Sequence, residues 1–242
     1  PGYLPAEVAG RAAGQNTNWQ DIMYQNSRRT DHNLTVSGGS NGSTFMLGGG
    51  YYNETTVMPG EDFTRYALRA AIDAKIGRRI KIGLSSQNTF SIAQGSQFVS
   101  GSAMFRMLAM SPLVAPYDSA GRIAPTPWGN IDDINSGGRY SPLYLQTENP
   151  EWVDRVRRIR TFNSLYGEYE FLKGLKYRIN LGLSFAQQHN AQFRPADLPG
   201  KPSFFRAAQG NIASVQNGET WGYTVENLLL FDKTIKDKHR IN

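Results

Sequence analysis

The strongest constraint on this fold is a set of long stretches in which apolar and polar residues alternate. The connections between these stretches are alternately short and long. In residues 175–185, for example, every second position is apolar and the positions between them are polar, charged or glycine. Successive side chains of a β-strand point to opposite faces, so this spacing predicts strands with one apolar and one polar face. We predict seven strands, at residues 32–39, 44–52, 63–76, 79–91, 159–171, 175–188 and 219–232, with an eighth beginning at 239–242.

The connections between these strands indicate how the sheet is wound. Residues 40–43, 77–78 and 172–174 are tight turns, whereas 53–62, 92–158 and 189–217 are longer connections, the last two of them long loops. An antiparallel up-and-down meander places such connections at opposite ends of the sheet. Outer-membrane β-barrels have this arrangement, with short periplasmic turns and longer extracellular loops. Finding the 92–158 loop on the same side as the 172–174 turn would contradict this prediction.

Strand length also favours a membrane barrel. The third to seventh predicted strands have about 13–14 residues, against about 5–6 in ordinary globular sheets and about 9–11 for a tilted transmembrane strand. The polar faces would line a wet lumen. The apolar faces carry aromatic residues near the strand ends, typical of the girdles at membrane interfaces: Tyr51, Tyr52, Tyr66, Tyr169, Phe171, Phe185, Trp221 and Phe231.

The fold prediction is therefore all-β: an antiparallel meander that forms part of a large transmembrane β-barrel. The pattern leaves a second possibility open. A soluble or surface-exposed β-sandwich binding module would use similar strands, with the apolar faces of two sheets meeting in a core.

Composition excludes several classes of function. The chain has no cysteine, which excludes disulfides and thiol chemistry. Its net charge is +6, but the basic residues are scattered apart from a dense run at 155–160, so nucleic-acid binding is not predicted. No apolar run reaches the length of a transmembrane helix. The three histidines lack the spacing of metal ligands, and no catalytic constellation is present, so we expect no metal, no cofactor and no enzymatic activity.

An ordered set of segments resembles the SusC/RagA family of TonB-dependent outer-membrane transporters. The segments are NWQDIMY at 18–24, HNLTVSGGS at 32–40, GYYNE at 50–54, DFTRYALRAAIDAKI at 62–76 and RIKIGLS at 79–85, followed by RMLAMSPLVAPYDSAGR at 106–122 and FNSLYGEYEFLKGLKYRINLGLSF at 162–185. They cover most of the chain in the family's order. The segment at 106–122 is similar to the family's extracellular helix-and-turn region, and a short helix is predicted near residues 102–110.

The resemblance implies a 22-strand barrel with a plug, in the outer membrane of a Gram-negative bacterium of the Bacteroidota type. It implies import of glycans or peptides, driven by TonB through the plug, with a SusD-type surface lipoprotein as a lid. The chain shows no TonB box, plug or first strand, and seven strands cannot close such a barrel. We therefore expect a segment of a longer polypeptide, beginning in the first extracellular loop and running through strands two to eight.

Candidate binding residues lie in the long loop. Trp128, Tyr140, Tyr144 and Trp152 could stack on sugars or peptides, because aromatic faces pack well on apolar ligand surface. The alternative is that they anchor the loop to itself or to the lid. The basic run at 155–160 could meet anionic outer-membrane lipid at a strand mouth, or could be an exposed loop end.

Overall fold

The computed structural model describes residues 2–58, 60–95, 104, 107–124, 127–128, 141–143, 153–194, 211–235 and 239–241. One seven-stranded antiparallel sheet dominates it, with the strands in chain order. The strands are β1 Arg28–Ser40, β2 Ser43–Thr55, β3 Asp62–Ile76, β4 Ile80–Gln94, β5 Val153–Leu172, β6 Leu175–Arg194 and β7 Ile212–Phe231. A separate small hairpin pairs β8, Lys233–Ile235, with β9, His239–Ile241.

The sheet is the predicted up-and-down meander. The short connections all lie at the same end of the strands, which we call the turn end: residues 41–42, 77–79 and 173–174. The longer connections start and finish at the other end of the strands, the loop end: residues 56–61, 95–152 and 195–211. The long loop and the 173–174 turn thus lie at opposite ends, as expected. Within the described residues β1 and β7 each have one neighbour, so this part of the chain forms an open sheet.

The first hairpin shows how local sequence sets the register. Asn41 and Gly42 both have positive φ, at 50° and 85°. Asn-Gly is the preferred pair for a two-residue turn of this kind, because its twist matches that of the flanking strands. The turn brings Ser40 opposite Ser43, and the pairing then continues without a bulge to Arg28 and Thr55.

Several strands are longer than the alternation predicts. β5, β6 and β7 each have 20 residues, so residues 153–158, 189–194 and 212–217 are strand and not loop. There, polar residues such as Arg157, His189 and Asn217 occupy the face that is apolar farther along the strands. Hydrophobic alternation is therefore interrupted at these positions, although the backbone pairing continues.

Two short helices precede the sheet and were not predicted: α1, Pro5–Ala12, and α2, Trp19–Met23. The Asn18 side chain accepts a hydrogen bond from the Gln20 N–H and so caps α2. Met104 and Met107 to Ala109 are helical, within the short helix predicted near 102–110. Among the described residues, no helix has the length and apolar character needed to cross a membrane.

The apolar face of the sheet is open. Leu34, Leu68 and Leu229 are 73%, 51% and 70% exposed. Of the buried hydrophobic residues among those described, only Val156 lies in the sheet. The β-sandwich alternative required a second sheet over this face, and the described part of the chain has none.

Aromatic rings border this apolar face at both ends. His32, Tyr51, Tyr66 and Phe90 form one cross-strand row towards the loop end, with neighbouring ring centroids 5.4–6.4 Å apart. Tyr169, Phe171 and Tyr177 form a second group near the turn end, at 4.8 and 6.4 Å. The height of the apolar face can be measured along β3, where ten residues separate Tyr66 of the first row from Ile76 at the turn end of the strand. At about 3.3 Å per residue and a tilt of about 40°, that distance projects to roughly 25 Å, the height of a barrel's apolar band.

One predicted girdle residue lies elsewhere. Tyr52 pairs with Asp31 and Arg65, which puts it on the polar face of the sheet. Two consecutive tyrosines cannot share a face of a strand, and Tyr51 takes the apolar side.

Candidate functional site

The polar face carries most of the charged side chains of the strands. Alternation along each strand puts them on the face away from the apolar residues, and the register aligns that face from one strand to the next. Near the turn end, this face is organised around Tyr166 of β5. The Tyr166 hydroxyl donates a hydrogen bond to the Asp73 carboxylate on β3. The Arg178 guanidinium lies 4.0 Å from the ring centroid, and the Lys81 ammonium lies 5.4 Å from it. Two cations thus contact one aromatic ring, an arrangement favoured by the electron-rich ring face.

Tyr166 can lie flat across β4 because residue 83 is glycine. A Cβ atom at Gly83 would stand 2.1 Å from Cε1 of Tyr166 and 2.9 Å from the Asp73 carboxylate. Both distances are shorter than a real Cβ contact, so a side chain at position 83 would force the ring and the carboxylate to move. The sequence places Gly83 directly opposite Tyr166 in the β4–β5 register.

Charges around Tyr166 are paired. Lys81 lies 3.6 Å from Asp73, and Glu168 lies 3.3 Å from Lys176 and 3.9 Å from Arg178. Because several of these groups are partly exposed, solvent screens their attraction and each pair contributes modestly to stability. Their effect is to fix side-chain positions across β3, β4, β5 and β6.

Near the loop end, the polar face has a second ring-centred group. Two guanidinium groups lie over the Tyr52 ring, that of Arg29 at 5.0 Å and that of Arg65 at 5.3 Å from the ring centroid. Its hydroxyl donates a hydrogen bond to the Glu54 carboxylate. Arg29 also lies 3.8 Å from Asp31.

The buried core of the described residues lies beyond the sheet, at the loop end. Six buried side chains form it, and we call them the methionine cluster: Trp19, Met23, Met58, Met107, Met110 and Val114. They come from α2, from the β2–β3 connection and from the long β4–β5 loop. Segments far apart in the chain therefore share one apolar core, and we call the structure they form the loop platform.

Hydrogen bonds fasten the same segments together. The Thr17 N–H donates to the Pro112 carbonyl at 2.8 Å, and the Thr17 hydroxyl donates to the Val114 carbonyl at 2.8 Å. The indole N–H of Trp19 donates to the Ser111 carbonyl at 3.0 Å. These bonds satisfy polar groups that would otherwise be costly to bury.

Of the four aromatic residues predicted to bind substrate, the structure describes one. Trp128 is partly buried and packs against the methionine cluster. Tyr140, Tyr144 and Trp152 lie outside the described residues. For Trp128 the contact matches the anchoring alternative, while its contact with substrate stays a prediction.

The methionine cluster itself was missed at the sequence level. Of the six methionines, all of them described, only Met46 lies in a strand. Methionine fills irregular gaps between elements that do not follow a regular pattern. Its concentration outside the strands was the available signal for a core in the loops.

A tight turn on the loop platform gives a pH-dependent prediction. The Asp118 carboxylate accepts hydrogen bonds from the backbone N–H groups of Arg122 and Ala120, at 2.9 and 2.8 Å. The N–H of Arg122 is the main cause that lowers the pKa of Asp118, and the Arg122 side chain adds to it. A lowered folded-state pKa contributes stability above the unfolded-state pKa, and that stability is lost as the pH falls through the folded value.

We therefore expect the turn, closed by the Tyr117–Ile123 bridge, to stay intact from neutral pH to about pH 4 and to open below that. Amide hydrogen exchange at Ala120 and Arg122 across this range would measure the opening. Asp118→Asn should lower the protection of these two amides, measured against their intrinsic exchange rate at each pH, already at neutral pH, and the protection should then no longer depend on acid. Unchanged acid dependence in that variant would contradict the assignment.

In the described part of the chain, no three His, Asp or Glu side chains lie close enough together to hold a metal ion.

Comparison with known proteins identifies similar chains. TonB-dependent receptors P3, P39 and P26 of Formosa agariphila are 26%, 25% and 19% identical over 227, 228 and 229 residues, which cover 90%, 92% and 93% of this chain. The chain spans about one fifth of their length, at 21%, 20% and 21%. No protein-family model matches the chain.

Solved structures share the fold. The RagAB peptide transporter superposes with a TM-score of 0.72 at 15% identity, over 93% of this chain and 24% of that one. The RagAB peptide importer in its closed-closed and open-open states gives 0.65 at 16% identity over the same shares.

Proposed function

Since this chain fits the SusC/RagA family of TonB-dependent receptors, we propose that it forms part of the barrel wall of an outer-membrane importer. The observation that carries the proposal is the seven-stranded meander with an exposed apolar face, bordered by aromatic rings, and a charged face behind it. A face of that height and exposure suits lipid, and a charged face suits a hydrated lumen.

In this role the wall does no chemistry of its own. The polar face lines the lumen, and the loop platform faces the outside of a Gram-negative, Bacteroidota-like cell. Energy comes from TonB, acting through a plug carried elsewhere in the same polypeptide. A SusD-type lipoprotein covers the loop end, and the cargo is a glycan or a peptide.

The loop aromatic residues complete the proposal. Trp128 holds the long loop against the methionine cluster, and Tyr140, Tyr144 and Trp152 contact the cargo or the lipoprotein. The first test of these roles is to replace each of the three residues with alanine and measure binding of labelled peptide and glycan pools.

Spin labels at two neighbouring residues test the wall assignment. The chain has no native cysteine, so Leu68→Cys and Arg69→Cys each give one labelling site in it. These residues are consecutive on β3 and point to opposite faces. In the complete polypeptide in lipid vesicles, we expect oxygen to relax the label at 68 and a water-soluble nickel chelate to relax the label at 69. Equal responses at both sites would exclude the wall assignment.

Transport is tested separately, in cells that carry the complete polypeptide. Uptake of labelled peptide and glycan pools should depend on this protein and stop when TonB is deleted. Uptake that persists without TonB would exclude an energised importer, even if the spin labels place the strands in lipid.

A further inference from the structure

Four arginines on the polar face form a group, and none of them belongs to an ion pair among the described residues. Arg65 and Arg69 lie on β3, and Arg158 and Arg160 lie on β5, with Ser91 of β4 directly between Arg65 and Arg158. Neighbouring strands are about 4.8 Å apart, so the arginine pair on β3 and the pair on β5 are separated by roughly 10 Å. We call these four residues the arginine patch.

The patch differs from the rest of the polar face in its charge balance. Among the described residues, the ion pairs of this face involve other cations: Arg29, Lys81, Lys176 and Arg178. Arg65 contacts the Tyr52 ring, and Nε of Arg158 donates to the Gln188 side chain at 2.8 Å. Neither contact supplies negative charge. Four like charges held close together repel each other, and a bound anion would relieve that repulsion.

A depression in the sheet adjoins Arg65 and Arg69. Its volume is about 110 Å³, and Gly48, Gly50 and Ala67 leave its floor without large side chains. A Cβ atom at Gly50 would stand 2.8 Å from the Asn33 side-chain oxygen, so a larger residue would narrow the space. Thr35 and Thr89 add hydroxyl groups to the rim. Asp31 also lines the depression, where it is 3.8 Å from Arg29.

A second depression lies beside Arg158 and Arg160. Its volume is about 340 Å³, and Gln188, Asn190 and Gln216 line it. Glu219 also adjoins it, but its carboxylate accepts a hydrogen bond from the Gln187 side chain at 2.8 Å, and the register places Glu219 on the same face as Ile159, opposite the arginines. Guanidinium groups bind carboxylate and sulfate through two parallel hydrogen bonds, while amides and hydroxyls bind the neutral polar groups of the same ligand. The two depressions together provide both kinds of group on either side of β4.

We propose that the arginine patch binds carboxylate or sulfate groups of the cargo as it passes along the wall, so that the importer takes anionic glycans or acidic peptides. This inference rests on the proposed function, because it needs the polar face to be a transport lumen. A carboxylate of the plug could present the same chemistry. The amide- and hydroxyl-lined depressions favour the cargo, since they suit a polar ligand with several groups to bind.

Matched probes test the proposal on the complete transporter. Hexaglutamate and hexaglutamine have the same length and nearly the same shape, but only the first is charged, and oligogalacturonate likewise loses its charge in its methyl ester. We expect the acidic member of at least one pair to bind more tightly, with the difference reduced at high salt. Arg65→Gln/Arg69→Gln should weaken binding of that acidic probe about tenfold and leave its neutral partner unchanged. Arg65→Lys/Arg69→Lys should restore part of the loss.

The control is Lys75→Gln/Lys176→Gln, which removes two charges from the same face outside the patch. We expect it to leave the preference for the acidic probe unchanged. The proposal is overturned if no acidic probe binds more tightly than its neutral partner, or if both weaken equally in the arginine variant. It is also overturned if the arginine variant leaves the binding of every probe unchanged and alters only the rate at which a protease cleaves the plug in the absence of probe. The patch would then hold a carboxylate of the plug and not the cargo. In each of these cases, TonB-dependent uptake of uncharged labelled peptides and glycans would still test the proposed function separately.

Discussion

Trp19→Ala should destabilise the loop platform by about 3–5 kcal/mol, the usual cost of removing a buried tryptophan from a core. Trp19 is 4% exposed and lies among the methionines of the cluster. Its loss would also leave the Ser111 carbonyl without the indole hydrogen bond. Because that bond joins α2 to the long loop, both segments should exchange their amide hydrogens faster. Hydrogen exchange of peptides covering 17–23 and 107–114 in the complete protein would measure the effect.

Two methionines of the long loop provide the matched control. Met107 is 2% exposed and belongs to the cluster, whereas Met104 is 41% exposed. Met107→Ala should raise exchange in both peptides, at a cost of about 2–5 kcal/mol. Met104→Ala should change stability by no more than about 0.5 kcal/mol. Equal effects of the two substitutions would show that the cluster does not hold the platform together.

Gly83→Ala should destabilise the barrel wall by about 2–4 kcal/mol, because overpacking and lost polar contacts add together. The new methyl group would occupy the space of the Tyr166 ring. Displacing the ring breaks its hydrogen bond to Asp73 and its contacts with Lys81 and Arg178. The midpoint of urea unfolding for the complete protein in lipid vesicles would report the change.

Gly182 offers a control at a glycine of the same face. A Cβ atom there would meet Thr224 at 3.5 Å, an ordinary contact, so Gly182→Ala should be tolerated. In the Tyr166→Ala background, Gly83→Ala should cost far less, since the ring that it displaces is already gone. If Gly83→Ala lowers the stability equally with and without the Tyr166 side chain, glycine is needed for the backbone of β4 and not to make room for the ring.

Period-two alternation predicted the sheet where one face is apolar and the other is polar, as in β3 and in β6 up to Phe185. It failed at the loop end of β5, β6 and β7, where Arg157, His189 and Asn217 interrupt the apolar face, because pairing of backbone groups leaves no hydrophobic signal. Alternation requires Tyr51 and Tyr52 to lie on opposite faces, and the pairing of β2 with β3 shows that Tyr51 is the one on the apolar face.

The loop platform was out of reach of local patterns. Trp19 and Ser111 are 92 residues apart in sequence and are joined by a hydrogen bond, a pairing that neither segment encodes alone. The arginine patch has the same origin. Arg65 and Arg158 stand on either side of Ser91 only because β4 and β5 pair across a long loop.

Thr17 and Val114, 97 residues apart, are joined on the platform, and this has a consequence for affinity. Fixing the backbone of a free segment costs about 1–2 kcal/mol per residue in conformational entropy. A partner that docks on α2 and residues 107–114 meets segments already held in one arrangement by the methionine cluster. That entropy is lost during folding and not at the moment of binding, so a small contact area can give useful affinity.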